Sequence, residues 1–199
     1  VHPLQLALDV QHAMGDGDWL VIDGGNTHFW SEIAVNIAGF QGKKLGGILH
    51  PGTFSLLGVG VSFAVSAKNV DPNRNVVLIS GDGAFLSGGL SIEAAFQENR
   101  PIVVVIDNNG GLDCISQQQE RLFASGTHYA TDFRDIPFHA MFEGLGGHGE
   151  LVTRREDIIP AVQRAMASGK TACVNVKVKG VISPIVLATT SKRDKASIE

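Results

Sequence analysis

Two short glycine-containing stretches carry residues that could do chemistry. Asp82 lies between two glycines in Gly81–Gly83, and Asn108–Gly111 follows after a spacer of 24 residues, 84–107. Glycines let the backbone approach a ligand closely, and backbone N–H groups at the start of a following helix favour a phosphate. A carboxylate at the same place would repel that phosphate unless a cation lay between them. Asp82 therefore indicates a hard divalent metal.

Asn109 offers a second oxygen donor, the neutral carbonyl of its side-chain amide. Together with Asp82 it completes the kind of oxygen-donor set that Mg²⁺ or Ca²⁺ prefers. A single carboxylate plus phosphate oxygens suits Mg²⁺ best, because that ion keeps few protein ligands. Each stretch taken alone is typical of an ordinary turn. Their combination predicts a metal site that holds a phosphorylated ligand.

Apolar runs precede both stretches and would position them. Residues 76–80 (VVLIS) predict a buried strand, which the turn with Asp82 follows. Residues 102–107 (IVVVID) predict another, which Asn108 follows. A third run, 18–23 (DWLVID), ends in the polar turn Gly24–Thr27. Parallel strands bind ligands beyond their carboxyl ends, beside helix N-termini. The three polar turns are therefore expected to face one ligand.

Apolar runs rich in Val and Ile alternate with helical segments along the whole chain. A last strand is predicted over 171–178, and a short strand followed by an amphipathic helix over 151–168. Helices are predicted over 3–14, 29–38, 56–69, 90–98 and 132–146. This alternation is typical of a parallel sheet that is covered on both faces. The predicted fold class is α/β, a doubly wound and mainly parallel sheet with helices on both faces.

Length, charge and cysteine content exclude several classes of protein. The 199 residues suit one domain, and 16 Lys and Arg in a chain of net charge -4 form no basic stripe of the kind that binds nucleic acid. Cys114 and Cys173 form no CxxC motif, which argues against a disulfide framework and a thiolate zinc site. No apolar run approaches the ~20 residues that cross a bilayer, and no secretory leader is recognisable. We expect a cytoplasmic protein with no membrane or nucleic-acid partner.

The two stretches and their spacing resemble the thiamine diphosphate motif of thiamine-dependent enzymes. Asp23–Trp30 (DGGNTHFW) is similar to the segment that touches the diphosphate in acetolactate-synthase-like and 2-hydroxyacyl-CoA-lyase-like enzymes. Gly52–Ala67 (GTFSLLGVGVSFAVSA) resembles the segment that supports the pyrimidine ring of the cofactor. These two segments are nearest to the 2-hydroxyacyl-CoA lyase and oxalyl-CoA decarboxylase branch. The resemblance implies a diphosphate-binding domain over residues 1–185.

The resemblance also implies the cofactors, thiamine diphosphate and Mg²⁺, and their contacts. Asp82 and the side chain of Asn109 would bind Mg²⁺, with the carbonyl of Gly111 as the third protein ligand. Leu57 would be the bulky apolar residue beneath the bent cofactor. Gly83, Ala84 and Phe85 would present backbone to the diphosphate, and the remaining cofactor contacts would come from Asn26, Thr27 and Gly81.

The implied activity is the cleavage or formation of a carbon–carbon bond next to a carbonyl or hydroxyl group. A lyase acting on a 2-hydroxyacyl-CoA is expected, giving an aldehyde or ketone and an acyl-CoA, or the reverse condensation. The alternatives are a 2-oxoacid decarboxylase or an acetolactate-synthase-like carboligase and, in another class, a non-catalytic regulatory subunit that binds the cofactor. Residues 112–114 (LDC) depart from the family, which commonly has an aromatic residue and a glycine or basic residue here. The reaction type therefore stays open.

The resemblance implies a partner, because family enzymes take an activating glutamate from a separate pyrimidine-binding domain. No catalytic residue is assigned in this chain, and the glutamate is expected on another domain or chain. We expect an even-numbered hetero-oligomer that acts on a small molecule, with an acyl-CoA as one candidate. The chain would be either one subunit of a two-chain enzyme or a piece of a longer one.

Two further features of the sequence are expected to have ordinary roles. The polar tail 186–199 is most simply solvated, and the alternative is a lid whose Lys192, Arg193 and Lys195 meet the phosphates of a coenzyme A substrate. The seven histidines show no metal-ligand spacing and are expected at the surface or as hydrogen-bonded core residues.

Overall fold

The fold of the chain is a single parallel sheet between two layers of helices. A computed structural model describes residues 1–123 and 125–190. All strand pairings in the sheet are parallel. The strands within the described residues are β1 (Trp19–Asp23), β2 (Gly47–Leu49), β3 (Val76–Gly81), β4 (Val103–Asn108), β5 (His148–Val152) and β6 (Ala172–Lys177). The predicted α/β class with a parallel sheet is confirmed.

Helices follow or precede each strand along the described chain. Three short 3₁₀ turns cover Gly52–Phe54, Gly89–Ile92 and Arg155–Asp157. The α-helices are α1 (Pro3–Ala13), α2 (Asn26–Phe40), α3 (Gly60–Val70), α4 (Asp82–Gly88), α5 (Glu93–Gln97), α6 (Asp113–Leu122), α7 (Phe138–Gly144), α8 (Ile158–Ala167) and α9 (Pro184–Thr190).

The strand order places a topological switch point between β1 and β3. The sheet runs β2-β1-β3-β4-β6-β5. From β1 the chain moves outward to β2, and it then returns past β1 to β3 and β4. Connections that leave neighbouring strands in opposite directions open a crevice at their carboxyl ends, where doubly wound folds bind ligands. The crevice here lies between the turn after β1 and the turn after β3.

Both faces of the sheet are buried, because successive side chains of each strand point to opposite sides. Leu20 and Ile22 of β1 pack with buried residues of α1 and α8, whereas Val21 packs with buried residues of α3 and α7. All six residues of β3 and all six of β4 are buried. This two-sided burial explains why these strands are continuous apolar runs.

The structure differs from the sequence prediction in several elements. β2 was not predicted, because three residues that begin with glycine give no strand pattern. The helix expected over 56–69 begins only at Gly60, since Gly58 has φ +88°, outside the helical region. In the stretch expected to be helical over 132–146, the helix begins after Pro137. The preceding residues pair with the segment after β4 instead.

The end of the chain differs as well. Helix α9 crosses the domain boundary expected at residue 185, and Val186 in the expected polar tail is buried. Residues 191–199, and with them the lid hypothesis for Lys192, Arg193 and Lys195, lie outside the described residues. Among the described helices, none is both long and apolar enough to cross a membrane.

Candidate functional site

A cavity of about 300 Å³ lies at the carboxyl end of the sheet, across the switch point between β1 and β3. The structure brings the three polar turns together around it. Its lining includes, from these turns and the residue after them, Gly24, Gly25, Asn26, Thr27, Gly81, Asp82, Gly83, Ala84, Asn109 and Gly111. We call the part formed by Gly81–Ala84 and Asn109–Gly111 the strand wall.

Hydrogen bonds from the backbone fix the carboxylate of Asp82 in the strand wall. Asp82 is 2% exposed, and its Oδ1 accepts the N–H of Gly83 at 2.7 Å. Its Oδ2 accepts the N–H of Gly110 at 2.8 Å and that of Gly111 at 3.2 Å. The turn after β4 is thereby tied to the first residue of α4.

The side-chain oxygen of Asn109 converges on the same point. Its Oδ1 accepts the Gly111 N–H at 3.2 Å, the donor that Asp82 Oδ2 also uses. The two side-chain oxygens proposed as metal ligands therefore flank one N–H group. Residues 110–112 pair with 131–133 through the bonds Leu112 N–H to Thr131 O and Phe133 N–H to Gly110 O. These two bonds leave the Gly111 carbonyl out of the pairing.

Close contacts limit the space at two glycines of the strand wall, strictly at Gly111 and less so at Gly83, whose neighbour is the end of the flexible Leu112 side chain. A Cβ on Gly111 would lie 2.6 Å from the carbonyl oxygen of Thr131, which is backbone and cannot move aside easily. A Cβ on Gly83 would lie 2.3 Å from Cδ2 of Leu112. Gly110 has φ +85°, a left-handed conformation that favours glycine. The glycines of both stretches thus allow the turns after β3 and β4 to pack against their neighbours.

Burial shapes the electrostatics of the strand wall. Desolvation raises the pKa of Asp82 above its ordinary value, although the backbone N–H groups of Gly110, Gly83, Gly111 and Asn109 act in the opposite direction. Burial raises the pKa of Asp107 to about 7, and burial followed by the charge of Asp82 raises that of Asp113 to about 6. Carboxylates crowded into a dry site favour either protonation or a bound cation.

The polar residues of the turn after β1 line the cavity, but their side chains bond away from it. Thr27 Oγ1 donates to Asp107 Oδ2 at 2.9 Å, while Asp107 Oδ1 has no partner among the described residues. The amide of Asn26 donates to Gln117 Oε1 at 2.8 Å, and its oxygen accepts the Ser183 N–H at 3.2 Å. The contacts expected from Asn26 and Thr27 are therefore most directly available from their backbone.

Opposite the strand wall, residues 50–60 form what we call the loop wall. Buried Asp23 at the end of β1 anchors it, because its Oδ2 accepts the Gly58 N–H at 3.0 Å and the Gly60 N–H at 2.7 Å. A Cβ on Gly88 would lie 1.9 Å from the carbonyl oxygen of Gly58. The loop wall therefore also rests directly on the backbone of α4.

These anchors hold Leu57 at the cavity. Leu57 lines the cavity and is 39% exposed, in keeping with an apolar side chain that supports a ligand. Phe54 and Leu56 beside it are exposed as well. The sequence prediction did not include Asp23 as the residue that places Leu57, because its hydrogen bonds span 35 and 37 residues.

Phe85 is placed differently from the other expected cofactor contacts. It does not line the cavity, and its ring packs in the core against Phe138 at 5.7 Å and Phe142 at 5.8 Å between centroids. The side chain of Asn108 also turns away and donates to Asn175 Oδ1 at 2.9 Å.

Further residues line the cavity that the sequence prediction did not assign to it. They include His28, Phe29, Ser55 and Ile115, and the segment Leu112–Cys114, noted above for its departure from the family, lines the cavity as well. Among these is Cys114, whose thiol pKa is raised by burial. The sequence did contain a start signal for helix α6. Asp113 follows the apolar residue Leu112 and precedes a polar run of residues that favour a helix, and an acidic residue is common in the first turn of a helix.

The donors at the strand wall fit the diphosphate and divalent metal that the sequence indicated. A buried carboxylate, an amide oxygen and a carbonyl left out of backbone pairing are hard oxygen donors of the type that Mg²⁺ takes. Ala84, in the first turn of α4, also lines the cavity. The cavity provides space for a ligand at this point.

Comparison with known proteins decides the family. The family model for the C-terminal TPP-binding domain of thiamine pyrophosphate enzymes matches residues 23–176. The chain belongs to this family. The matched range begins at Asp23 and contains all three polar turns together with the loop wall. The resemblance drawn from the two glycine-containing stretches is confirmed.

Several curated proteins are similar over most of the chain. The acetolactate synthase large subunit of Mycobacterium tuberculosis is 34% identical over 182 residues, which cover 88% of this chain and 31% of that protein. The 2-hydroxyacyl-CoA lyase 2 of Danio rerio is 28% identical over 183 residues, 88% of this chain and 28% of the relative. The catabolic acetolactate synthase of Raoultella terrigena is 26% identical over 189 residues, 94% of this chain and 32% of the relative. The chain spans about three tenths of the length of these relatives.

Proposed function

We propose that this chain is the diphosphate- and Mg²⁺-binding part of a thiamine diphosphate-dependent enzyme that cleaves or forms a carbon–carbon bond next to a carbonyl or hydroxyl group. The observation that carries the proposal is the convergence of Asp82 and Asn109 oxygens on the Gly111 N–H at the edge of the cavity. The negative charge of a buried carboxylate in this place is balanced most directly by a cation, which also neutralises the charge of a phosphate.

The residues of the strand wall would bind and orient the cofactor. Asp82, the Asn109 amide oxygen and the Gly111 carbonyl would hold Mg²⁺. The backbone of Gly81, Gly83 and Ala84 would face the diphosphate. When bound, thiamine diphosphate supplies the nucleophilic carbon and the electron sink of the reaction. The protein supplies positioning and electrostatics.

The loop wall would set the shape of the bound cofactor. Leu57, held by the Asp23 anchor, would support the cofactor from below. Asn26 and Thr27 would border the diphosphate from the turn after β1. Phe85 would contribute through its backbone only, since its ring packs against Phe138 and Phe142.

For the reaction we propose cleavage or formation of a 2-hydroxyacyl-CoA, supported by the segments Asp23–Trp30 and Gly52–Ala67. The second candidate is an acetolactate-synthase-like carboligase or a related 2-oxoacid decarboxylase. The 34% identity to an acetolactate synthase large subunit favours this second candidate. In both, the cofactor site described here would serve the same purpose.

We further propose that a pyrimidine-binding domain, on a second chain or another part of the same protein, covers the loop wall and supplies the activating glutamate. The exposure of Phe54 and Leu56 beside Leu57 supports this, because contiguous exposed apolar side chains mark interaction surfaces. An even-numbered assembly would follow from pairing across this wall. The alternative function, that of a non-catalytic subunit, would bind the cofactor at the same strand wall without that glutamate.

The test of the cofactor site is calorimetric titration of the chain with thiamine diphosphate in the presence and absence of Mg²⁺. The Asp82→Ala variant should lose Mg²⁺-dependent binding while its far-UV circular dichroism stays unchanged. Asp82→Asn, which keeps the shape of the side chain and removes its charge, should also lose it. Asp16→Ala is the matched control, because Asp16 is exposed and outside the cavity. Undiminished Mg²⁺-dependent binding of thiamine diphosphate by Asp82→Ala would refute the proposal.

Product analysis of the complete assembly separates the candidate reactions. Native mass spectrometry of protein purified from its own source, with both cofactors present, should show this chain together with additional polypeptide. That assembly should release an acyl-CoA from a 2-hydroxyacyl-CoA if the lyase proposal is right. Formation of a 2-hydroxy-2-methyl-3-oxo acid from pyruvate would favour the carboligase. A cofactor-loaded assembly without either activity would favour the non-catalytic subunit.

A further inference from the structure

Three side chains to which the sequence analysis gave no cofactor contact meet where the loop wall begins, and one of them, His28, also lines the cavity between the two walls. His28 lies in the first turn of α2, Glu32 lies one turn later, and His50 follows β2. His28 Nε2 and Glu32 Oε1 are 2.9 Å apart, and the rings of His28 and His50 are 5.0 Å apart between centroids at an interplanar angle of 66°. One potential ligand atom from each residue lies within 4.8 Å of the others.

The fold explains why residues so distant in sequence meet. Residues four apart on a helix lie on the same face, which pairs His28 with Glu32. β2 pairs in parallel with β1 and places Leu49 opposite Val21, so the chain leaves both strands at the same edge of the sheet. β1 leads through Gly24 and Gly25 into α2, and β2 leads directly to His50. His28 is buried and hydrogen-bonded and His50 is exposed, as expected, but the spacing of these residues along the chain does not signal that their side chains meet.

The chemistry of the three groups suits a transition metal rather than Mg²⁺. Two imidazoles and one carboxylate, with a fourth position left open, are a donor set typical of zinc sites. Zinc–nitrogen bonds of about 2.0–2.1 Å place tetrahedral ligand atoms about 3.4 Å apart. The separations here, from 2.9 Å up to 4.8 Å, bracket that value. Small rotations of these side chains would bring the three ligand atoms to the separation that tetrahedral zinc requires.

We propose that His28, Glu32 and His50 form a binding site for a transition metal, Zn²⁺ first, separate from the Mg²⁺ site at Asp82. Glu32 provides the negative charge that offsets part of the ion's charge. Glu32 and His50 also line a second cavity of about 320 Å³ beside α2 and β2. That cavity gives room for a water or an exogenous group at the open coordination position.

Metal binding would act on the loop wall through His50. His50 Nδ1 accepts the N–H of Gly52 at 3.2 Å, at the start of the 3₁₀ turn that leads toward Leu57. A metal on Nε2 places the ring proton on Nδ1, and a metal on Nδ1 occupies the acceptor directly. Either way this hydrogen bond is lost and a metal bond joins the loop wall to α2. The site would thereby fix the outer end of the loop wall by a second anchor besides Asp23.

The test is calorimetric titration of the metal-stripped full chain with Zn²⁺, with Mg²⁺ in excess. One Zn²⁺ per chain should bind. Loss of an outer hydrogen-bond partner costs metal sites about 10–100-fold in affinity, so loss of a direct ligand in His50→Ala or Glu32→Gln should cost about tenfold or more. His12→Ala, at another exposed histidine, should bind as the parent does. Asp82→Ala should also keep its Zn²⁺ affinity.

The overturning results are equally specific. Parental affinity in both His50→Ala and Glu32→Gln would refute the site, and so would an equal loss in His12→Ala. Loss of Zn²⁺ binding in Asp82→Ala would assign the ion to the strand wall and would also refute it. Both Glu32 and His50 are substantially exposed, so the variants should fold, as circular dichroism can verify. Co²⁺ absorption in the visible range offers an independent readout, since four-coordinate Co²⁺ absorbs more strongly than the hexa-aqua ion.

Discussion

The two walls of the cavity are held in place by different means. In the strand wall, Asp82 is 2% exposed and three backbone N–H groups converge on its carboxylate. In the loop wall, Phe54 is 94% exposed, and the carboxylate of Asp23 accepts the N–H groups of Gly58 and Gly60. The wall that faces the diphosphate in our proposal is thus complete within this chain. The wall that would face the reactive end of the cofactor in the same proposal exposes apolar side chains, Phe54 and Leu56.

The largest effect is expected where the loop wall touches the end of α4. Gly88→Ala puts a Cβ 1.9 Å from the Gly58 carbonyl oxygen, and both groups are backbone, so the loop wall or α4 must move. Overpacking of this kind costs about 1–3 kcal/mol of unfolding free energy, and backbone–backbone contact favours the upper end. Urea denaturation followed by circular dichroism measures the loss.

The matched control is Gly39→Ala in α2, where an added Cβ meets nothing within 4 Å. Alanine there should raise the unfolding free energy by roughly 0.5–1 kcal/mol, because glycine disfavours helix interiors by that amount. Equal effects of the two substitutions would show that the contact between Gly58 and Gly88 does not constrain the fold.

A smaller loss is expected when the anchor of the loop wall is removed. Asp23→Ala leaves the Gly58 and Gly60 N–H groups without their acceptor, and an unsatisfied buried donor costs about 1–3 kcal/mol. Part of this cost is offset, because the variant no longer has to bury a carboxylate that loses its hydration on folding. Hydrogen exchange should show faster exchange at Gly58 and Gly60 with little change at Gly110 and Gly111. Equal acceleration of amide exchange in both walls would contradict the conclusion that Asp23 anchors the loop wall and not the strand wall.

The anchor also predicts a pH dependence. Burial raises the pKa of Asp23 above 3.8, although hydrogen bonds from Gly60, Gly58 and Gly24 act against the shift. The folded chain then binds this proton more tightly than the unfolded chain, so its stability falls as pH rises from 3.8 through the raised folded pKa. Asp23→Asn removes the titration. The stability of the parent chain relative to this variant should therefore decrease over that interval, and a constant difference would contradict it.

The smallest effect on stability is expected at Leu57. Its side chain is 39% exposed, so Leu57→Ala should cost less than about 1 kcal/mol, compared with about 2–5 kcal/mol for a fully buried leucine such as Leu78. Turnover by the complete assembly should nevertheless fall if Leu57 supports the cofactor. Thermal melting of both alanine variants, set beside their activities, separates packing from function. A Leu57→Ala variant with full activity would contradict the proposed role.

Local patterns were sufficient to predict much of the fold. β1, β3, β4 and β6 are continuous apolar runs because both faces of the sheet are covered, and turn residues end them. The strand wall was predictable for the same reason, since its residues follow β3 and β4 directly. β2 was not predictable, because its three residues include a glycine and depend on pairing with β1.

The missed parts of the site depend on contacts between distant segments. Asp23 bonds to Gly58 and Gly60 only once β1 and the loop wall lie side by side. His28 and His50 likewise meet through the pairing of β2 with β1. Nothing in the spacing of these residues signals the contact.

The N–H of Gly111, shared by Asp82 and Asn109, has a consequence for how a metal would enter. Both side-chain oxygens already occupy converging positions before any ion arrives. The entropy of ordering this turn is therefore lost during folding rather than during binding, which is preorganisation in the strict sense. The barrier to loading would then lie mainly in stripping water from the ion, since Mg²⁺ dehydrates reluctantly.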